Sequence, residues 1–211
     1  MKTDELLTLL GADTVPVRPL NRTLALALGF GILLPALVML STIGTRPDLA
    51  SAIHEPRVIA KLIVTLLAAL SSLLLVFRIG RPGLPLGGYL LLLLAPAALL
   101  AAAVGIELSV LPSDRWMTSL MGRNAAFCLF FIPTLSSIPL AGFLWAMRDG
   151  APERPAWAGA ACGLGSAAIA ASIYAWHCPD DSPLFVATWY VIAITFVTLA
   201  GAFAGSRLLR W

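Results

Sequence analysis

Residues 58–77 read VIAKLIVTLLAALSSLLLVF, an apolar run interrupted by one charge, Lys61, near its first end. A bilayer core about 30 Å thick needs roughly 20 mainly apolar residues to cross it as a helix. The run is continuous rather than alternating and is rich in Leu and Ala, so a strand with one wet face does not fit. A helix closes its backbone hydrogen bonds within the segment, as hydrocarbon demands. Five further runs share this character, which places spans near 24–44, 58–77, 84–106, 125–146, 156–176 and 184–205. The predicted fold class is all-α, a polytopic membrane bundle of six transmembrane helices.

Composition agrees. Of 211 residues, 59% are hydrophobic and 12% are charged, about half the roughly 25% charge of a soluble domain. The net charge of +3 is spread in ones and twos beside the apolar runs. It is not gathered with aromatics into a nucleic-acid patch, so direct nucleic-acid binding is not expected. Three scattered cysteines do not make a secreted disulfide scaffold. The first run starts behind a polar, Pro-containing segment and is followed by no clear cleavage site, unlike a signal peptide.

Six spans put both termini on one side. That side would hold nine basic residues, Lys2, Arg18, Arg22, Arg78, Arg81, Arg148, Arg154, Arg207 and Arg210, against five on the other. The excess predicts cytoplasmic termini. The chain then divides into a cytoplasmic N-terminal segment, 1–23, and a six-helix transmembrane domain, 24–211, with outer loops 45–57, 107–124 and the turn HCPDDSP at 177–183. The inner turns are short and punctuated by Gly and Pro.

The outer side gathers soft ligands. Cys178 lies in the last outer turn, and Cys128 about one helical turn inside the fourth span, so the two are expected at one depth. Asp114 to Ile132 holds no proline and is read as one helix. Met117, Met121 and Cys128 would then share a face to within roughly 40°, with His177 and His54 in neighbouring loops. Thiolate, thioether and imidazole suit copper(I) and similar soft metals. The same thiols could form a disulfide in an oxidising compartment. No compact metal motif is present, and methionines at this spacing also serve as packing residues, while His54 reads as a solvated loop residue. Cys162, in an Ala/Gly-rich run about 24 Å along the helix from Cys178, is read as packing filler. Gly159-Ala-Ala-Cys-Gly163 reads as close helix packing.

Asp180 and Asp181 are read as turn residues bonding local backbone, with Asp181 or Ser182 capping the sixth helix and Pro183 in its first position. Catalysis is not expected, nor is an obligatory cofactor. Lys61 and Glu107 sit near outer span ends, where Lys can snorkel. No other charge lies in a span, which argues against a pump. Thr3 can cap a short helix ending at Gly11, with Leu6, Leu7 and Leu10 on its apolar side. Its two readings, a helix on the lipid surface and a helix in a protein groove, stay level. No feature bears on homo-oligomerisation.

The opening MKTDEL, the strip Pro16-Val-Arg-Pro-Leu20, the turn His177–Pro183 with Trp189-Tyr190, and the closing Arg207-Leu-Leu-Arg-Trp211 resemble the six-span anti-sigma proteins called negative regulators of sigma F. The resemblance covers nearly the whole chain. It implies an anti-sigma factor that holds an extracytoplasmic-function sigma factor at the bacterial inner membrane and releases it on metal or oxidative stress outside. It also implies Cys128 and Cys178 as sensors beside His177, and a sigma-binding N-terminal segment, with Leu6, Leu7, Leu10, Asp13, Pro16, Val17 and Arg18 as candidates. Cys162 is additional to the implied pair. Copper or another soft metal is the ligand expected at the outer cysteines if they bind metal. The rival classes are a small transporter or channel with an outer copper entry site and a thiol–disulfide membrane enzyme. A transporter predicts polar groups through the midplane, where the sequence offers only Ser71, Ser72, Thr134, Ser136 and Ser137.

Overall fold

The computed structural model describes residues 19–81, 83 and 85–209. The described chain is helical with no strand. Among the described residues ten α-helices follow one another: α1 Leu20–Thr42, α2 Leu49–Ala52, α3 Pro56–Ile79, α4 Gly87–Leu92, α5 Leu94–Val110, α6 Trp116–Met121, α7 Ala125–Met147, α8 Pro155–Tyr174, α9 Pro183–Phe185 and α10 Val191–Leu208. Among the described residues they make six stretches long and apolar enough to cross a membrane, with α4–α5, α6–α7 and α9–α10 each counting as one. The six expected spans are thus present, and the first starts at Leu20 behind Pro19 rather than at residue 24. The N-terminal residues expected to bind a partner, Leu6, Leu7, Leu10, Asp13, Pro16, Val17 and Arg18, lie outside the described residues.

Helix α8 is the hub. It packs on α1, α3, α7 and α10, and its residues from Ala158 to Tyr174 are mostly buried. Small residues permit this. A Cβ on Gly163 would meet Val197 O of α10 at 2.5 Å, and one on Gly205 would meet Gly159 Cα at 2.6 Å. The two backbones therefore touch directly, in the small-residue manner of membrane helix pairs. The α1–α7 crossing uses the same device, since a Cβ on Gly31 would lie 2.8 Å from the Pro139 Cβ.

The third span behaves differently. It packs mainly on α3, and within α5 only Pro96 and Glu107 are buried. Leu91, Leu92, Leu94 and Leu99 are exposed, as hydrocarbon allows without cost, while Leu93 and Leu100 pack inward.

Candidate functional site

One end of the bundle gathers the turn 175–182, the loop 43–55 and the start of α7. Here α8 ends at Tyr174, and Cys178 N–H still donates to Tyr174 O at 3.1 Å. The chain then turns through Pro179 and re-enters at Pro183. Ser182 accepts the Leu184 N–H at 3.3 Å with Pro183 at the first helical position, so the serine cap expected from sequence is present.

Cys128 sits in the first turn of α7, its N–H bonded to Asn124 O at 2.9 Å. Its Sγ lies 3.9 Å from Cys178 Sγ, and both residues are fully buried as free thiols. Tyr174 and Tyr190 close over the pair, with ring centroids 6.2 Å apart and no partner for either hydroxyl among the described residues. The pair thus stands close enough to react after a small shift, about 2 Å short of bonded sulfur separation. Cys162 is buried in a different cluster, nearer the other end of α8.

The two aspartates of this turn do more than shape it. Asp180 Oδ2 accepts from Arg123 N at 3.1 Å, Asn124 N at 2.8 Å and Asn124 Nδ2 at 2.9 Å, tying the turn to the entry of α7. Asp181 does not cap. It pairs with Arg46 Nη1 at 2.6 Å and with Lys61 Nζ. Lys61 does not snorkel: its side chain is fully buried and also donates to Cys178 O at 2.7 Å. Burying a charge is costly without pairing and hydrogen bonds, and Asp181 and the turn carbonyl supply both. Sequence reasoning noticed Lys61 but missed this partner. The signal available was an ionisable residue inside a span, which ordinarily has one.

Arg46 extends the network to Asp48 through Nε at 2.7 Å and Nη2 at 2.8 Å. Each ion holds the other's charge, so Asp48 lies below the usual carboxylate range and Arg46 above its own. Cys178 lies below the usual thiol range. The Cys128 thiol, able to donate to its thiolate, is the first cause, and the Lys61 charge adds to it against the opposing effect of burial.

The wider ligand set does not assemble. Gly122, at φ +55, breaks the helix expected from Asp114 to Ile132 into α6 and α7. A Cβ at Gly122 would run into the Phe185 ring and lie 2.9 Å from Asp180 Cγ, so only glycine fits this bend. In consequence Met117 and Met121 are exposed while Cys128 is buried. The shared face expected for them does not form. His54 is exposed in its loop. His177 is half-buried, with Nδ1 2.9 Å from Gly44 O. Among the described residues no group of three His, Cys, Asp or Glu side chains is placed to hold a metal ion.

Sequence reasoning also missed the π-helical turn Val186–Tyr190, which carries Tyr190 against the thiols. Its Trp189 Nε1 donates to Leu120 O at 2.8 Å. Such turns have no reliable local signature and collect at functional sites.

A family profile described as "Negative regulator of sigma F" matches residues 10–211. The chain belongs to this family. Two relatives are similar over the whole length of both chains. The anti-sigma-F factor NrsF of Caulobacter vibrioides is 37% identical over 218 aligned residues, and a probable anti-sigma-F factor NrsF of Azospira oryzae is 35% identical over 223. No solved structure matches. The resemblance read from the turn His177–Pro183 and the strip Pro16–Leu20 thus points to the right family.

Proposed function

We propose that this protein is a membrane anti-sigma factor that holds an extracytoplasmic-function sigma factor at the bacterial inner membrane, with both termini cytoplasmic. Residues 1–18 contact the sigma factor, and the Cys128–Cys178 pair senses the signal from outside. The observation that carries the reading is the pair itself: two buried free thiols 3.9 Å apart, at the end of the bundle opposite Leu20, in a family of sigma regulators.

Two chemistries suit the pair. Hydrogen peroxide can take two electrons from the thiols, forming one S–S bond and two waters from the two thiol protons and the peroxide. A soft cation can instead displace both protons and be held by two thiolates. Either draws the first turn of α7 toward the turn after α8. At the far end of α7, Met147 reaches the root of the N-terminal segment. A Cβ on Gly80 would meet Met147 Sδ and Leu20 Cδ2, each at 2.8 Å. Thr23 Oγ1 donates to Asp149 Oδ2 at 3.3 Å beside it. Movement of α7 therefore reaches the start of α1. Releasing nearly all the sigma factor requires the signal to favour one state by about 5.5 kcal/mol.

The transporter alternative gains nothing from the hydroxyls inside the spans. Ser71, Ser72, Ser136 and Thr134 each donate to the carbonyl four residues back, and Ser137 to the one three back. Their hydrogen bonds stay within their own helices.

The test is co-purification with the sigma factor, wild type against Cys128→Ser/Cys178→Ser, with and without copper or peroxide. Sigma bound at rest and released only from the wild type supports both roles. Equal release from both returns the cysteines to packing. No bound sigma under any condition sinks the anti-sigma reading.

A further inference from the structure

At the Leu20 end, a cavity of about 430 Å³ opens between α3, α4 and α8. Its walls are apolar, with Leu75, Ile79, Leu90 and Leu164 among them, and its mouth carries Arg81, Arg154 and Trp157. We propose that it binds one anionic phospholipid, with the phosphate held by Arg81 and Arg154 and an acyl chain laid along the leucines.

The charges are available. Among the described residues, Arg154 makes no ion pair, and Arg81 uses one N–H on Asn21 Oδ1 at 2.6 Å. Glu153, the acid at the mouth, turns Oε1 to Gly83 N at 2.8 Å rather than to either arginine. Arg78, one helical turn before Arg81, lies over the Tyr89 ring at 5.5 Å and is not part of the lining. A guanidinium presents a planar fork matched to two phosphate oxygens.

Depth favours a lipid over a peptide. The mouth lies where α3 ends and α8 begins, and Trp157 there is 63% exposed, as a tryptophan at headgroup level would be. Basic pockets between spans at that level take anionic headgroups. A peptide strand in the same cavity would set its N–H and C=O groups against leucine walls, at the cost of unpaired polar groups. A phospholipid is polar only where the arginines are.

The full-length chain in detergent is titrated with phosphatidylglycerol, with phosphatidylcholine of the same acyl chains, and with inorganic phosphate, reading Tm. Phosphatidylglycerol should raise Tm in a saturable manner, and the other two should not. Arg81→Gln/Arg154→Gln should weaken the apparent affinity at least tenfold. Leu90→Trp, which fills the cavity and leaves both arginines, should also weaken it, so a misfolded arginine variant does not decide the matter. Equal stabilisation by phosphatidylcholine or by phosphate overturns the proposal. So does full phosphatidylglycerol binding by both variants. Stabilisation by a peptide of residues 1–18 with no effect of lipid would give the cavity to the chain's own segment and overturn it as well. No arm depends on sigma binding or on the thiols.

Discussion

The two ends of the bundle treat charge in opposite ways. At the Cys178 end, Lys61 and Arg46 are buried, and both converge on Asp181. At the Leu20 end, Arg81 and Glu153 are exposed, and each holds one neutral partner. Buried charges must be matched in number and geometry, so the first end has one arrangement and resists drift. Exposed contacts contribute little and rearrange freely. A pair of thiols that must meet needs the first kind of end, and a surface that takes up and releases partners needs the second.

The comparison breaks most visibly at Lys61. Lys61→Met leaves Asp181 with Arg46 alone and takes a donor from Cys178 O, and removing one partner of a buried pair costs about 3–5 kcal/mol. Thermal unfolding in detergent should show a larger Tm drop than for either of the single variants that follow, Gly122→Ala and Asn21→Ala. The double variant Lys61→Met/Asp181→Leu should not recover fully, because Arg46 then loses its own buried partner. Full recovery would mean that Arg46 is satisfied by Asp48 alone.

Gly122→Ala comes next. The bend needs φ +55, and the new methyl would strike Phe185. Overpacking and backbone strain together cost about 2–3 kcal/mol. The bend also seats Asp180 on Arg123 and Asn124, so the variant should slow formation of the Cys128–Cys178 disulfide by diamide at fixed temperature. An unchanged rate would show that this seat does not position the thiols.

A third effect concerns pH. Because Cys178 lies below the usual thiol range, its thiolate persists at pH values where an ordinary thiol, with a pKa near 8.5, is protonated. Disulfide formation should therefore rise with pH and level off below that ordinary value. In Lys61→Met the profile should move to higher pH, since one of the charges favouring the thiolate is gone. Peptide mapping should find Cys162 outside the disulfide. A profile identical in both proteins would leave Cys128 as the main cause.

The spans were legible because hydrocarbon imposes a length and a composition that sequence shows directly. Close packing at Gly159 and Gly163 was legible, since only small residues let backbones meet, but the partner helix α10 was not. Sequence put Cys128 and Cys178 at one depth, and the 3.9 Å between their sulfurs is a fact of the fold. The rest rested on pairings across distant segments. Asp181 with Lys61 spans 120 positions, and neither residue's neighbours announce the other. The bend at Gly122 was passed over because Asp114 to Ile132 was read as one helix for its lack of proline, and a lone glycine in a helical pattern can be tolerated. Here the positive φ and the Phe185 ring decide the matter, and both are tertiary facts.

The smallest expected effect tests the other half of the comparison. Asn21→Ala removes the acceptor for Arg81 at the Leu20 end, a bond made in the open at 2.6 Å. Water can replace that acceptor, so the change in unfolding free energy should stay within about 0.5 kcal/mol. The side chain nonetheless sits one residue into α1, beside the segment proposed to hold the sigma factor. A variant with unchanged Tm and altered sigma retention would show that this end is specified for partners rather than for stability. A loss above about 2 kcal/mol would place Arg81 and Asn21 among the groups that hold the bundle together, and the contrast between the two ends would then fail.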